Sequence, residues 1–132
     1  MTRRERVRAY LSGDSSDGIL TSCGALPNDG ISAFAYAKLL SYMGLDRLPV
    51  KVYDLFQFLA EIDQEVLDLF DADFVQVHRM RYRFEISGWQ SREGVLPDGT
   101  GCRYPGEYEP VTDARGNREI HVGGVPFARM PA

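Results

Sequence analysis

The stretch ILTSCGALPNDGISAFAYAKLLSYMGL spans residues 19–45, and whether its first seven residues form a strand decides the fold expected of the chain. ILTSCGA (19–25) is a short apolar run that breaks at glycine. It reads as a buried strand followed by a loop, although periodicity alone does not separate a strand from a buried turn here. The stretch 28–45 carries the best helical pattern in the sequence, with Ile31, Phe34, Ala35, Leu39 and Tyr42 along one face. Asn28, Asp29 or Ser32 can cap its start, and Gly44 suits the left-handed position after its end.

Upstream, RRERVRAYL (3–11) places Val7, Tyr10 and Leu11 at helical spacing and stops at Ser12-Gly13. Downstream, PVKVYDLFQFLAEID (49–63) begins extended and is expected to turn helical near Asp54. Asp63 can then cap a short helix over QEVLDLF, whose first-turn acid favours the helix dipole. ADFVQVHRM (72–80) reads as a strand carrying Phe74, Val75 and Val77. From residue 85 onward glycine and proline punctuate short stretches. Pro97-Asp98-Gly99, Arg115-Gly116-Asn117 and Gly123-Gly124 are turn signals at hairpin spacing. This part reads as an antiparallel meander with Trp89, Tyr104, Tyr108, Ile120, Val122 and Phe127 to pack. The expected division is 1–84 and 85–132.

Strand, helix and strand near the start imply a parallel pair joined by a right-handed crossover. Two parallel strands do not complete a sheet, and such strands are normally buried on both faces. The final HVGGVPFARMPA (121–132) closes a tight turn and stops soon after a new strand begins. The chain is therefore expected to be the front part of a larger protein.

Composition limits the function classes. The 132 residues form one domain in length, 44% hydrophobic and 26% charged, as in ordinary soluble proteins. A net charge of −4 argues against general nucleic-acid binding. No apolar run approaches the ~20 residues of a membrane span. The charged N-terminus lacks a signal-peptide core, and two cysteines are too few for a disulfide framework. The expected location is the cytoplasm, with reduced thiols.

The runs GISAFAYAKLLSYMGL, PVKVYDLFQFLAEIDQEVLDLFDADFV, LPDGT and ARMPA, in this order after TRRERVRAYLSGD, resemble the N-terminal region of uroporphyrinogen decarboxylase-like proteins, on the branch related to cobalamin-dependent methyltransferases. The resemblance covers nearly the whole chain and implies an α/β fold: a partial (β/α)8 TIM barrel, its first two βα units followed by an antiparallel β-hairpin segment. A complete barrel of this type takes about 250 residues. The implied parent is a lyase or a methyltransferase acting on a small-molecule substrate, and the 132-residue chain alone is expected to be inactive.

Barrel chemistry sits at the C-terminal ends of the strands. The first such end would be Thr21, Ser22, Cys23 and Gly24, expected to line the substrate mouth. The family's loop carries carboxylate-binding arginines there, and this sequence has none between Arg8 and Arg47, which counts against porphyrinogen decarboxylation. Cys23 also reads as a small, half-buried apolar residue. The second end would be His78, aligned with a functional aspartate of the decarboxylases. A histidine there can bind a carboxylate or move a proton, or simply be hydrogen-bonded at a strand terminus. Arg79, Arg81 and Arg83 would share one face of an extended segment. Such a row can grip an oxyanion, though it is more often a solvated face.

The two histidines and two cysteines lie at no close ligand spacing, so no metal site is expected within the chain. Zinc or a corrinoid enters only through a complete methyltransferase-type parent, whose ligands have no matching positions here. Beside the enzyme reading stands a different class: a standalone α+β interaction module that dimerises, or binds another chain, through open strand edges.

Overall fold

The computed structural model describes residues 1–14, 18–77, 90–122 and 124–130. Helix α1 (Arg3–Leu11) starts at a capping box in which Thr2 Oγ1 accepts the Glu5 N–H and the Glu5 carboxylate accepts the Thr2 N–H. Helix α2 (Ala33–Tyr42) is capped by the Ser32 hydroxyl, which accepts the Ala35 N–H at 3.3 Å. Gly44 follows its end at φ +69, in the left-handed region expected for it. A hairpin comes next, β1 (Lys51–Asp54) with β2 (Leu59–Glu61), and then α3 (Gln64–Leu69). The remaining strands are β3 (Ser91–Val95), β4 (Gly101–Pro105), β5 (Val111–Thr112), β6 (Arg118–Val122) and β7 (Val125–Met130).

The strands make two small sheets, one ordered β2-β1-β4-β3 and the other β5-β6-β7. No (β/α)8 pattern is present among the described residues, which overturns the expected barrel. Three local differences produce this outcome. Residues 19–25 form no strand, and Ile19 is 88% exposed, so no parallel unit begins there. Residues 72–77 are likewise irregular rather than a strand. The segment after Asp54 reverses as a hairpin instead of winding into a helix.

That reversal has a local cause and a tertiary one. The Asp54 carboxylate accepts the N–H groups of Phe56 and Gln57, both at 2.8 Å, an aspartate turn that competes with helix formation. Phe58 takes φ +53, which a continuing helix forbids. Leu59 and Ala60 then pair back onto Asp54 and Val52. Val52 and Tyr53 point to opposite faces of β1 and are both buried, which marks β1 as a central strand. Its other neighbour is β4, in parallel, with Lys51 opposite Arg103. The four-stranded sheet thus takes strands from both sides of residue 85.

The buried stripe of α2 is Ala33, Tyr36 and Leu40. The expected face was rotated from this one, for Ala35 is exposed and Tyr42 is 90% exposed. Helix α1 buries no residue, and the Tyr10 and Leu11 read as its apolar face lie at the surface. Pro97-Asp98-Gly99 and Arg115-Gly116-Asn117 close antiparallel hairpins, β3 with β4 and β5 with β6; β6 also pairs antiparallel with β7, though Gly123 of the third expected turn lies outside the described residues. Tyr104, Tyr108 and Ile120 pack in the same apolar cluster as Tyr36, Val52 and Val66, so both sheets share one core. Phe127 is mostly exposed, and Trp89 lies outside the described residues.

Candidate functional site

The loop Thr21–Gly24 is held by carboxylates at Thr21 and Ser22. The Asp73 carboxylate accepts the Thr21 N–H at 2.8 Å, the Thr21 carbonyl accepts the Asp73 N–H at 2.8 Å, and the Thr21 hydroxyl donates to the Asp71 carbonyl at 3.0 Å. The Ser22 hydroxyl donates to Asp29, whose other oxygen accepts the Leu26 N–H at 2.7 Å. Gly24 sits at φ +72 with its backbone against Ile62: a Cβ there would come within 2.6 Å of Ile62 Cγ1. Cys23 is half-buried against the core.

Cys23 and Gly24 of this loop line a cleft of about 480 Å3 together with Lys51, Glu61, Asp63 and Gln64. At its base the fully buried Tyr36 donates its hydroxyl to the Asp63 carboxylate at 3.0 Å and accepts the Asp63 N–H at 3.0 Å. Lys51 Nζ donates to the other Asp63 oxygen at 3.2 Å and lies 3.9 Å from Glu61. Asp63 is the residue before α3, as expected, but its carboxylate does not cap the helix. It serves Tyr36 and Lys51 instead.

The titration of these groups follows from their surroundings. Burial, then the Asp29 charge, pushes the Cys23 thiol up, so it stays protonated and weakly nucleophilic near neutrality. Burial and the neighbouring Asp63 charge, against the Asp63 N–H, raise the Tyr36 hydroxyl far above its ordinary value and keep it a donor. Burial acts to raise Asp73, whose side chain is wholly inaccessible. The Thr21 N–H and the Arg6 guanidinium outweigh it and hold the carboxyl below its usual range.

The structure therefore puts Cys23 and Gly24 on a cleft wall, with Thr21 and Ser22 tying the loop down beside them, and not at the end of a barrel strand. His78, Arg79 and Arg81 lie outside the described residues. Sequence reasoning missed Tyr36, Lys51, Asp63 and Asp73, which organise the cleft and its wall. The alternation of Lys51, Glu61 and Asp63 around a hairpin was the available signal, and the helical reading of 54–63 hid it. Among the described residues no group of three His, Cys, Asp or Glu side chains gathers as a metal site, and no helix is long and apolar enough to cross a membrane.

The strand edges differ in exposure. The outer edge of β2 is covered by residues 31–33, through Ala60 N–H to the Ile31 carbonyl at 2.9 Å and Ala33 N–H to the Phe58 carbonyl at 2.7 Å. Among the described residues, β3 and β7 each pair on one side only. Strand β3 carries Arg92 and Glu93. Strand β7 is the longest among the described residues, with Val125 65% exposed and a register shift opposite Ile120 and His121. Compared with known proteins, the chain matches no family model, no curated protein and no solved structure.

Proposed function

We propose that the chain is a protein-interaction module that associates through the outer edge of β7, with a second copy of itself as the partner. The observation that carries this reading is β7: six residues ending the order β5-β6-β7, bonded to β6 alone among the described residues. A one-sided strand offers a row of backbone donors and acceptors to another strand. Antiparallel pairing of two β7 edges closes on itself with two-fold symmetry, so association stops at the dimer.

The other edges suit this role less. That of β2 is covered, β5 has two residues, and β3 presents a charged pair, a common device against edge pairing. Within β7, Pro126 lacks an N–H and sits beside the register shift, which directs pairing toward the C-terminal half of the strand. The catalytic reading has no comparable support. In the cleft Lys51 is engaged by Asp63, while Cys23 and Tyr36 are held protonated.

Light scattering on a dilution series tests the proposal. Dimer mass at high concentration, shifted to monomer with an unchanged melting temperature by Phe127→Lys, which sets a charge on the exposed side chain beside the pairing half of β7, is the expected result. A monomer at every concentration, or a dimer indifferent to Phe127→Lys, overturns it.

A further inference from the structure

Helix α1 is attached to the molecule in an unusual way. It buries no residue, and neither the apolar core nor the half-buried hydrophobics packed against it include any α1 side chain. Among the described residues, a fan of ion pairs ties it to the end of α3 and the segment after it. Arg3 reaches Asp68 at 2.7 Å and Asp71 at 3.3 Å; Arg6 reaches Asp71 at 2.9 Å and Asp73 at 2.6 Å. Arg6 also donates to the Asp71 carbonyl at 3.3 Å. The half-buried Val7 lies beside Ala72, Phe74 and Val75 but adds no buried side chain, so the docking depends heavily on charge, and charge at partly exposed groups is screened by salt.

The acceptors of those arginines are the groups that hold the cleft wall. Asp73 Oδ1 takes the Arg6 Nε–H, and its Oδ2 takes the Thr21 N–H. The Asp71 carbonyl takes both an Arg6 N–H and the Thr21 hydroxyl. Thr21 is two residues from Cys23. A continuous set of hydrogen bonds thus runs from α1 through Asp71 and Asp73 to the loop 21–24.

We propose that α1 is an electrostatic latch on this loop: docked, it holds Thr21 through Asp71 and Asp73 and limits access to Cys23; released, it frees the cleft wall while the core stays folded. Without Arg6, the inaccessible Asp73 carboxylate keeps a single partner group, Thr21, and an unpaired buried charge is unfavourable enough to draw water into the site. The rearrangement is local because α1 contributes no buried side chain to the core.

The test is the rate at which neutral iodoacetamide alkylates Cys23, followed by peptide mass analysis, with Cys102 as an internal reference. Cys102 is buried in the core beside Tyr104 and reports global unfolding. In the wild-type protein, raising NaCl from low concentration to about 1 M, where the screening length falls to about 3 Å, is expected to speed Cys23 alkylation several-fold and leave Cys102 unreacted. Arg6→Gln is expected to give the fast rate already at low salt, with little further response, and Arg6→Lys an intermediate one. Two results overturn the proposal: a Cys23 rate that ignores both salt and Arg6→Gln, or Cys23 and Cys102 becoming reactive in step. Because the salt series uses the wild-type chain, a variant that fails to fold does not remove the test.

Discussion

The Tyr36 hydroxyl lies 3.0 Å from the Asp63 carboxylate and 3.0 Å from the Asp63 backbone nitrogen, donating to the first and accepting from the second. One oxygen on a fully buried helix residue thus fixes both the carboxylate facing Lys51 and the first turn of α3. Tyr36→Phe removes both bonds and leaves a half-buried N–H and a carboxylate oxygen short of partners. The expected loss is about 1–3 kcal/mol of stability, measured by urea unfolding. Lys51→Met, which removes a partly exposed partner, is expected to cost less than Tyr36→Phe in the same assay.

Gly24 and Gly13 form a matched pair of left-handed glycines. Both have φ near +80 (+72 and +82), but a Cβ at Gly24 meets Ile62 whereas one at Gly13 meets nothing within 4 Å. Alanine at Gly13 carries the left-handed cost alone, about 1–2 kcal/mol. Gly24→Ala adds the displacement of Ile62 and is expected to lower the melting temperature further. Equal shifts for the two variants would mean that the loop does not press on Ile62.

The Asp29 charge contributes to the raised Cys23 thiol, after burial. Asp29→Asn is expected to lower that pKa and speed Cys23 alkylation at pH 8, where more of the thiol then ionises. The effect is smaller than that of exposing the side chain, because burial is the larger cause. A pH–rate profile of alkylation in the two proteins reads the shift directly.

Acid is expected to release α1. Hydrogen bonds from Arg3 and then Gln64 lower Asp68, and those from Arg6 and then Arg3 lower Asp71. Asp73 is lowered too, the Thr21 N–H and Arg6 outweighing burial. Folded-state values below the unfolded one mean that the contribution is fully present above the unfolded carboxyl value, about 3.9, and is lost as pH falls through the lowered values. The backbone resonances of α1 are therefore expected to hold between pH 7 and pH 5 and to move toward random-coil positions below about pH 4, ahead of those of β1 and β4.

Local chemistry was legible in the sequence where a single short segment decides the outcome. The Ser32 cap, Gly44 after α2, the short helix following Asp63 and the glycine turns all depend on residues within a few positions of one another. The sheet did not depend on such segments. Val52 and Tyr53 are both buried because β1 lies between β2 and β4, and β4 is about fifty residues away in the chain. ILTSCGA has the composition of a buried strand, yet among the described residues it pairs with none and Ile19 is mostly exposed. Cys23 and Gly24 border the cleft, not as the end of a strand but as part of a tied loop. Its organisers, Arg6 and Asp73, are distant in sequence, and periodicity carries no trace of their pairing.

Amide hydrogen exchange of β7 at low and high protein concentration tests the central claim most directly. If β7 edges pair between copies, amides in the C-terminal half of β7 gain protection as concentration rises, while those of β1 and β4 do not change. Exchange along β7 that is independent of concentration would contradict the proposed association.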